Sequence, residues 1–503
     1  MAQRRRDNRR RHVGPGTQAG ALPALPSDFV QAARTWLGDE ADAFLAACAR
    51  PPQLAVRANA LKGGVPALLR ALGPAAATWS RVPWWPDALL PPPGSAAHLA
   101  AHLLARVGAL YAQDPAALAA VAALDPQPGE RVLDLCAAPG GKSTAIADRM
   151  AGRGLLVGND VDARRARDLE HTLERWGAAG AAVLALAPER LAALAPGFFD
   201  RVLVDAPCSG EAVFARHPHA AAAWSREHVA GCAARQQLLI ETARQLVRPS
   251  GVLVYATCSF NPVENEAVIA RYLAAHLEDA LEDAVRLLGA SPGRPDLLTP
   301  AQAGPRGHEL VRMVRLWPHR GTGAGHSVAL IRVAGGSASE SPPPEARRFG
   351  RPAGKVDRSA ETAVRALAQT VAPGLELRGR VVVRGERAFL VLDALPVDLA
   401  EAAQAPGLRL AERRGRTWRP AHALAMALQP EQAHSTVHLD DTAAATFLTG
   451  RPVAGLGEGL MLAAWHRYPL GWARARGGTL VPLLPTGLRT PMASVPPVDT
   501  GSG

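Results

Sequence analysis

The sequence predicts an α/β fold with a doubly wound parallel sheet. Short apolar segments of strand length recur along the chain, at about 131–136, 154–160, 181–187, 200–205 and 251–257. Helical stretches lie between them, among them 142–150 and 225–248. Short apolar strands that alternate with helices are typical of a parallel sheet covered by helices on both faces.

Further elements flank this alternation. Asp114 suits a helix N-cap, and Pro115 suits the first turn, where its missing N–H costs no hydrogen bond; the apolar run AALAAVAAL follows. Residues 27–50 are also predicted to be helical. A glycine-punctuated pair near 310–317 and 326–333 can complete the sheet as a hairpin.

Length and charge limit the class of protein. The 503 residues allow roughly three domains. A net charge of +11 favours a polyanionic partner, nucleic acid before an anionic membrane surface, although an arginine-preferring genome is an alternative explanation. Residues 1–12 hold six arginines and lack the apolar core of a secretory signal. Since no stretch of about twenty uncharged apolar residues follows, we expect a soluble monomer without a membrane partner.

The five cysteines include no Cys-x-x-Cys pair, so neither a disulfide framework nor a structural zinc site is expected. This usage is typical of a reducing compartment, and we expect a cytoplasmic protein that holds no metal. Cys48 and Cys232 lie in apolar or helical stretches and are interpreted as buried fillers. The other three cysteines lie at predicted strand ends.

The first strand runs into the turn Cys136-Ala-Ala-Pro-Gly-Gly141-Lys142 and then a helix. Glycine lets backbone approach a cofactor closely, and a helix N-terminus offers free N–H groups. Gly141-Lys142-Ser143 also matches the tail of a phosphate-binding Walker loop. That pattern needs glycine where Cys136 stands, so a nucleotide triphosphatase is disfavoured. Asp160 follows the second strand and suits either a ribose contact or a strand-end turn. It lies 26 positions after Asp134, whereas the acidic residue of a dinucleotide-binding fold is expected after about 20.

Asp205-Ala-Pro-Cys208 ends one predicted strand and Thr257-Cys258 ends the next. If these strands are neighbours, both cysteines and Asp205 face one cleft; two buried thiols and a disulfide are the alternatives. A thiolate that adds to carbon 6 of a pyrimidine makes carbon 5 nucleophilic toward an electrophilic methyl. A carboxyl group at the N3 edge would disperse the charge that develops, and a second cysteine could assist release.

These motifs resemble the Nop/Sun family of RNA cytosine-5 methyltransferases, and others look like its bacterial RsmF branch, which acts on small-subunit ribosomal RNA. The family motifs are Cys136-Ala-Ala-Pro-Gly-Gly-Lys142, Asp205-Ala-Pro-Cys208-Ser-Gly-Glu211, Thr257-Cys258 and Pro262-Val-Glu264-Asn265-Glu266. The branch motifs are Leu316-Trp-Pro-His-Arg320 with Gly325-His326, Pro420-Ala-His-Ala-Leu-Ala-Met-Ala-Leu428, and Tyr468-Pro-Leu-Gly-Trp472. The similarity covers nearly the whole chain from about residue 28.

The resemblance implies a Rossmann-like methyltransferase domain that uses S-adenosylmethionine. Cys258 would be the attacking thiolate, Cys208 would help eliminate the methylated product, and Asp205 would contact the base beside the cofactor. DNA cytosine methyltransferases instead use the Pro-Cys cysteine, so these roles rest on the resemblance. Asp160 would bind the ribose. The methionine end of the cofactor would lie against the loop residues Cys136, Ala137, Ala138, Pro139, Gly140, Gly141 and Lys142.

The resemblance also implies a small N-terminal α/β domain and a C-terminal region with a PUA-like RNA-binding part. The motif Arg57-x-Asn59-x-Leu-Lys62 matches a family motif that is expected to touch RNA. The expected domains are a disordered basic arm at 1–26, an N-terminal RNA-binding subdomain at 27–99, a methyltransferase domain at 100–334, a linker at 335–356 and a C-terminal region at 357–503.

The chain departs from the family at two positions. Ala212 stands where glycine commonly follows Ser-Gly-Glu, and the aspartate expected near the adenine is absent, so either Glu189 or backbone groups alone would bind that ring. Because the target base must leave its stack, the expected substrate is single-stranded or loop ribosomal RNA, free or within the small subunit. Three other functions stay open: a noncatalytic ribosome-assembly factor, a tRNA methyltransferase and a DNA methyltransferase.

Overall fold

The computed structural model describes residues 25–335 and 358–489. The predicted arm at 1–26 and linker at 335–356 lie outside the described residues, apart from positions 25, 26 and 335. In the described ranges, no helix combines the length and the apolar character that crossing a bilayer requires.

An N-terminal unit packs helices around a small antiparallel sheet with the strand order β2-β3-β1-β4. Gly38 has φ 55°, so the helix predicted over 27–50 is divided in two by a short 3₁₀ turn. β4 pairs with β1, so this sheet continues past residue 99, where the sequence analysis ended the subdomain. The elements are α1 (Ser27–Leu37), α2 (Ala41–Cys48), β1 (Ala55–Ala58), α3 (Gly64–Leu72), β2 (Ser80–Val82), β3 (Trp85–Leu90), α4 (Ser95–Ala101), α5 (Leu103–Arg106) and β4 (Leu110–Gln113).

The central unit confirms the doubly wound α/β prediction. Its first half alternates helices and strands: α6 (Pro115–Leu124), β5 (Arg131–Asp134), α7 (Gly141–Arg149), β6 (Leu155–Asn159), α8 (Ala163–Trp176), β7 (Ala181–Leu184), α9 (Pro188–Leu194) and β8 (Phe199–Asp205). Its second half comprises α10 (Pro218–Ala223), α11 (Arg226–Leu246), β9 (Val247–Thr257), α12 (Glu266–Ala275), β10 (Ala280–Glu282), α13 (Ala284–Leu288), β11 (Ser291–Pro292), α14 (Pro300–Ala303), β12 (Val314–Leu316) and β13 (His326–Arg332).

Its sheet has the order β11-β12-β13-β9-β8-β5-β6-β7, and β10 also pairs with β13. The strands from β5 to β9 are parallel, whereas β13 runs antiparallel to β9 and β12. The expected hairpin is therefore present, although its first strand is short because residues 307–312 form a 3₁₀ helix. Asp114 caps α6 through Ala116 N–H, as predicted. The mostly apolar α6 is buried against β8, β9 and β13.

The C-terminal region contains two further sheets, ordered β14-β15-β16-β17 and β18-β20-β21-β22-β19. The first comes with α15 (Arg358–Val371), β14 (Arg380–Arg384), β15 (Arg387–Val391), α16 (Val397–Ala402), β16 (Leu408–Arg414), β17 (Thr417–Pro420) and α17 (His422–Ala427). The second comes with β18 (Thr436–Leu439), α18 (Asp441–Leu448), β19 (Val453–Ala454), β20 (Gly459–Trp465), β21 (Tyr468–Arg476) and β22 (Thr479–Pro482). Trp317 and Trp472, which belong to the branch motifs, are both buried.

The Arg57 motif closes the interface between the N-terminal and central units, which contradicts the expected RNA contact. The Arg57 guanidinium is fully buried, forms an ion pair with Asp148 and lies 4.5 Å from the ring of Trp176. Asn59 Nδ2 donates to the carbonyls of Gly108 and Trp176 at 2.6 and 2.8 Å. Lys62 Nζ likewise donates to two buried carbonyls, at 2.8 Å each. Side chains so enclosed cannot reach a phosphate.

We expect Arg57→Ala to lower the free energy of unfolding by about 3–5 kcal/mol, because the variant leaves the Asp148 carboxylate buried without its cation. Urea unfolding followed by circular dichroism measures the change. Arg50→Ala is the control, since Arg50 is exposed and its removal should change stability by less than about 0.5 kcal/mol. Unchanged stability with weakened RNA binding in Arg57→Ala would restore the RNA-contact interpretation.

Stability should also depend on Lys62. Burial, with a smaller contribution from Arg175, lowers the pKa of Lys62 from its ordinary value of 10.5 to about 7. Between these values the unfolded chain binds a proton that the folded chain does not, so stability rises with pH. The Tm of the wild type should therefore increase relative to that of Lys62→Met between pH 7 and pH 9. A constant Tm difference over this range, measured by scanning calorimetry, would contradict the assignment.

Candidate active site

Two cysteines meet at the carboxyl edge of the central sheet. β8 and β9 are parallel neighbours with Asp205 opposite Ala256, so both strands end at the same edge. Cys208 follows β8 and Cys258 follows β9 directly, and their Sγ atoms lie 3.3 Å apart. Both residues are partly accessible, and both are free thiols. The two strands are neighbours, as the sequence analysis required for a shared site, and the contact between the sulfurs is a non-bonded one.

Asp205 forms the third side of this cleft. Its carboxylate accepts a hydrogen bond from Lys142 Nζ at 2.6 Å, and its Oδ1 lies 3.5 Å from His326 Nε2. Burial alone would raise the pKa of Asp205, but the Lys142 ammonium and the His326 imidazole hold it well below its usual range. Asp205 in turn raises the pKa of Lys142 against the opposing effect of burial. The group is therefore an ionised carboxylate, which accepts hydrogen bonds and donates none.

The two sulfurs are within hydrogen-bonding distance, and either one can be the donor. The hydrogen bond to Cys258, together with burial, raises the pKa of Cys208 well above its ordinary value. Burial likewise raises the pKa of Cys136, which keeps that residue a thiol at neutral pH. Cys48 and Cys232 are buried, as predicted.

Two buried glutamates accept hydrogen bonds from the loops that follow Cys208 and Cys258, which we call the cysteine loops. Glu264 accepts hydrogen bonds from Ser209 N at 2.9 Å and Ser259 Oγ at 3.0 Å, and so joins the residues that follow Cys208 and Cys258. Glu211 accepts from Phe260 N and Trp224 Nε1, at 2.6 and 3.0 Å. The hydrogen bonds from Ser209 N to Glu264 and from Phe260 N to Glu211 link the loop after Cys208 to the loop after Cys258, and so hold the two loops together.

The loop after Ser209 is regular despite its departure from the family pattern. Gly210 has φ 72°, and the following turn includes Ala212, whose N–H donates to Cys258 O at 3.0 Å. Alanine fits because the left-handed conformation falls on Gly210. Aromatic rings of the N-terminal helices cover this region, with Phe44 packed edge-on against Phe260 at 4.9 Å between ring centroids.

The loop that leaves β5 lies at the same sheet edge. Ala137 N donates to Asn159 O at 2.8 Å, and Gly140 has φ 111°. A Cβ on Gly140 would lie 2.9 Å from Thr172 Cγ2, so only glycine fits. Burial raises the pKa of Asp134 to about 7. Its Oδ1 is buried and, within the described residues, lacks a hydrogen-bond partner. An orphaned oxygen beside a glycine turn and a helix N-terminus suits a ligand with a cationic group.

Asp160 follows β6 at this edge and is almost fully buried. One carboxylate oxygen accepts from Asp162 N at 3.1 Å, and the other lies 3.2 Å from Arg165. Glu189 is exposed in the first turn of α9. Both acidic candidates for the cofactor therefore lie at carboxyl-end positions of neighbouring strands, β6 and β7, and Asp160 is the preorganised one.

The structure brings Cys136 to Lys142, Asp160, Asp205, Cys208 and Cys258 to one edge of one sheet. Sequence reasoning did not identify His326 as part of this site, and it placed Lys142 in the loop against the cofactor. In the structure Lys142 is largely buried and donates a hydrogen bond to Asp205. The predicted strand at 326–333 was the feature that could have located His326. Its residue Ser327 pairs with Thr257, next to Cys258, so His326 lies close to the cysteines.

Models of known families match three segments of the chain. The model described as 16S rRNA methyltransferase RsmB/F matches residues 121–332. The N-terminal domain of 16S rRNA methyltransferase RsmF matches 25–115, and the methyltransferase RsmF PUA domain matches 434–490.

Similar proteins agree with these matches. Ribosomal RNA small subunit methyltransferase F of Salmonella paratyphi B is 36% identical over 266 residues, which cover 51% of this chain and 53% of that protein. The protein of the same name from Escherichia coli O6:H1 is 37% identical over 258 residues, covering 49% and 51%. The chain thus spans about half the length of the curated relatives it matches.

A solved structure, the methyltransferase homolog protein from Pyrococcus horikoshii, has a TM-score of 0.51 and 28% identity. The match covers 61% of this chain and 94% of that one. Through the three matched segments and these relatives, the chain is similar to the RsmB/F family of 16S rRNA methyltransferases.

Proposed function

We propose that this protein transfers a methyl group from S-adenosylmethionine to carbon 5 of cytidine in small-subunit ribosomal RNA, through a covalent cysteine–pyrimidine adduct. The observation that carries the proposal is the 3.3 Å approach of the Cys208 and Cys258 sulfurs beside the ionised Asp205. Two thiols and a carboxylate at one edge fit addition to a pyrimidine and its reversal.

The residues at the carboxyl edge fit the cofactor. The turn from Cys136 to Lys142 would take the methionine end, with the unpartnered Asp134 Oδ1 available to its ammonium group. Asp160 would accept from the ribose hydroxyls. When bound there, S-adenosylmethionine supplies an electrophilic methyl group. The protein's part is to place carbon 5 of the base against that methyl and to exclude competing nucleophiles.

The addition step uses Cys258. Its thiolate bonds to carbon 6 of the extruded cytosine, and the electron pair of the 5,6 double bond attacks the methyl carbon from carbon 5. Asp205, held ionised, accepts from the exocyclic amino group and orients the ring. The positive potential that offsets the charge developing on the ring comes from Lys142, which lies behind Asp205.

The release step uses Cys208. Once Cys258 is bonded to carbon 6, the hydrogen bond between the two sulfurs, which raises the pKa of Cys208, is lost. Cys208 can then lose its proton to solvent, take the proton from carbon 5, and so allow the Cys258 thiolate to leave. The proton from carbon 5 then lies between the two sulfurs, as at the start. The cycle is balanced, and the resting hydrogen bond is restored.

The substrate is expected to be a single-stranded or loop segment, since carbon 6 is not accessible to a thiol in a stacked duplex. The segment that matches an RsmF PUA domain would bind RNA beside the central unit. Cytoplasm is the proposed location, because a mechanism that needs two free thiols 3.3 Å apart requires a reducing compartment.

The cysteine roles predict two different phenotypes. Cys258→Ser should abolish methyl transfer, because the hydroxyl is a far weaker nucleophile. Cys208→Ser should form the adduct and fail to release it, so a covalent protein–RNA species should accumulate. Transfer of radioactive methyl groups to 16S rRNA transcribed in vitro, followed by denaturing gels, measures both.

Cys232→Ser is the matched control, since that thiol is buried on α11 and contacts His228 and Arg235 rather than either cysteine of the pair. It should retain full activity. Exchanged phenotypes would reverse the two cysteine roles. If the wild-type protein methylates tRNA or DNA and not rRNA, the proposed substrate is wrong. If the wild-type protein transfers no methyl group at all, the noncatalytic assembly factor is the function that stays.

Cofactor binding tests the two acidic candidates. We expect Asp160→Ala to weaken S-adenosylmethionine binding about tenfold or more, because a buried carboxylate that accepts from the ribose is lost. Glu189→Ala should change the affinity less than about twofold if backbone groups hold the adenine. Isothermal titration calorimetry measures both. A larger effect in Glu189→Ala would assign the adenine contact to that side chain.

A further inference from the structure

A group of unpaired arginines lies far along the chain from the cysteines, on the hairpin of β16 and β17. We call Arg387, Arg413, Arg414, Arg416 and Arg419 the arginine hairpin; Arg387 is on the neighbouring strand β15. All five are exposed, and within the described part of the chain none forms an ion pair. Glu412 lies among them, but it already pairs with Arg409 at 2.9 Å.

Strand register places three of these side chains on one sheet face. Glu412 is opposite both Arg387 and Arg419, and Arg414 is two residues from Glu412, so all of these share a face. Arg409 is opposite Phe389, two residues from Arg387, and so lies on that face as well. The arginine hairpin thus extends the sheet face on which Arg409 forms its ion pairs.

That face packs on the central unit. Arg409 forms ion pairs with Glu170 and Glu174 of α8, the former at 3.1 Å. Ala405 O accepts from Val183 N at 2.7 Å, which joins the same segment to the edge strand β7. The arginine hairpin continues the same sheet face beyond the residue that contacts α8, Arg409. It therefore borders the surface of the central unit.

The α8 surface leads from the arginine hairpin to the cleft. Arg164, Arg167 and His171 precede Glu174 at spacings of three, four and three residues, so they lie along one stripe of the helix. Arg164 and Arg167 are exposed. The helix starts directly after Asp160 and Asp162, at the sheet edge that holds the cysteines. Two exposed arginines, Arg164 and Arg167, therefore lie on α8 between its contact with Arg409 and the sheet edge that holds the cysteines.

The chemistry of the hairpin favours RNA over an acidic protein. Guanidinium groups match phosphate geometry and keep their charge, and five free ones on a single hairpin repel each other unless an anion binds. Arg413 lies 5.7 Å from the ring of the half-buried Trp418, which offers an aromatic surface beside the charges. Cationic side chains with an adjacent aromatic ring are the combination that binds single-stranded nucleic acid.

We propose that the arginine hairpin binds the phosphodiester backbone of the RNA and guides it along α8 to the cleft. This deepens the proposed function and rests on it for the identity of the RNA. The hairpin lies between residues 332 and 434, outside all three segments that match a family model. It would therefore be an RNA contact separate from the PUA domain.

The test removes two charges from the hairpin, in Arg414→Gln with Arg419→Gln. The matched control is Arg153→Gln with Arg286→Gln, two exposed arginines without ion pairs at other edges of the central unit. Both double variants change the net charge equally. Binding of a protein-free 16S rRNA transcript is measured by filter retention between about 50 and 200 mM KCl.

We expect the hairpin variant to bind about tenfold more weakly, with the slope of log affinity against log salt reduced by about 1.5, as for two lost phosphate contacts. KM for the transcript should rise while kcat stays unchanged, and the Tm should equal that of the wild type. The control should keep the wild-type slope. Equal slopes in both variants would overturn the proposal.

The two proposals fail separately in this experiment. Binding needs no methyl transfer, so a chain that binds RNA through the hairpin and transfers no methyl would support the hairpin and overturn the proposed activity. Wild-type protein without affinity for the transcript would overturn both. A hairpin variant that loses affinity for assembled small subunits but not for the protein-free transcript would assign the surface to a ribosomal protein and overturn the RNA contact.

Discussion

Parallel pairing of β8 with β9 is the constraint on which the site depends. The register sets Asp205 opposite Ala256, so that two strands, separated in sequence by a long helix, end at one edge. Only then do Cys208 and Cys258 approach within hydrogen-bonding distance. Their proximity couples the two thiols, and the hydrogen bond to Cys258 contributes to the raised pKa of Cys208.

Two buried glutamates hold the cysteine loops in place. The hydrogen-bond donors around them offset the free-energy cost of burying a carboxylate. Glu264 and Glu211 have no exposed surface, and each accepts several hydrogen bonds from the loops that carry the cysteines. Burial raises the pKa of Glu211, which measures the cost. A carboxylate that is satisfied only when both loops are in place favours that single geometry, since any displacement would leave a buried charge unpaired.

The same principle joins the units of the chain. Arg57 and Lys62 belong to a motif that the family resemblance assigned to RNA contact. Here they are buried between the N-terminal unit and helices α7 and α8, where Asp148 and main-chain carbonyls accept their hydrogen bonds. Cations for the proposed RNA interaction must then be sought elsewhere, among exposed arginines that form no ion pair within the described residues.

Much of the architecture was present in local sequence. Strand-length apolar runs predicted the alternation of β5 to β9, and the turn after Asp134 predicted the ligand edge, because hydrophobic period and glycine placement are local properties. The motifs Asp205 to Cys208 and Thr257-Cys258 identified the family. The helix predicted over 27–50 and the first strand of the hairpin were drawn too long, since Gly38 and the 3₁₀ turn at 307–312 interrupt them.

By itself, then, the sequence determined the fold class and the family resemblance, and it supplied the candidate reactive groups. Only the tertiary structure decided which charged side chains have a partner. It pairs Lys142 with Asp205 and Arg57 with Asp148, and it brings His326 to the sheet edge that holds the cysteines. The physical reason is that partnership and burial depend on residues tens to hundreds of positions apart. Their pairing is set by strand order and domain packing, which no local pattern specifies.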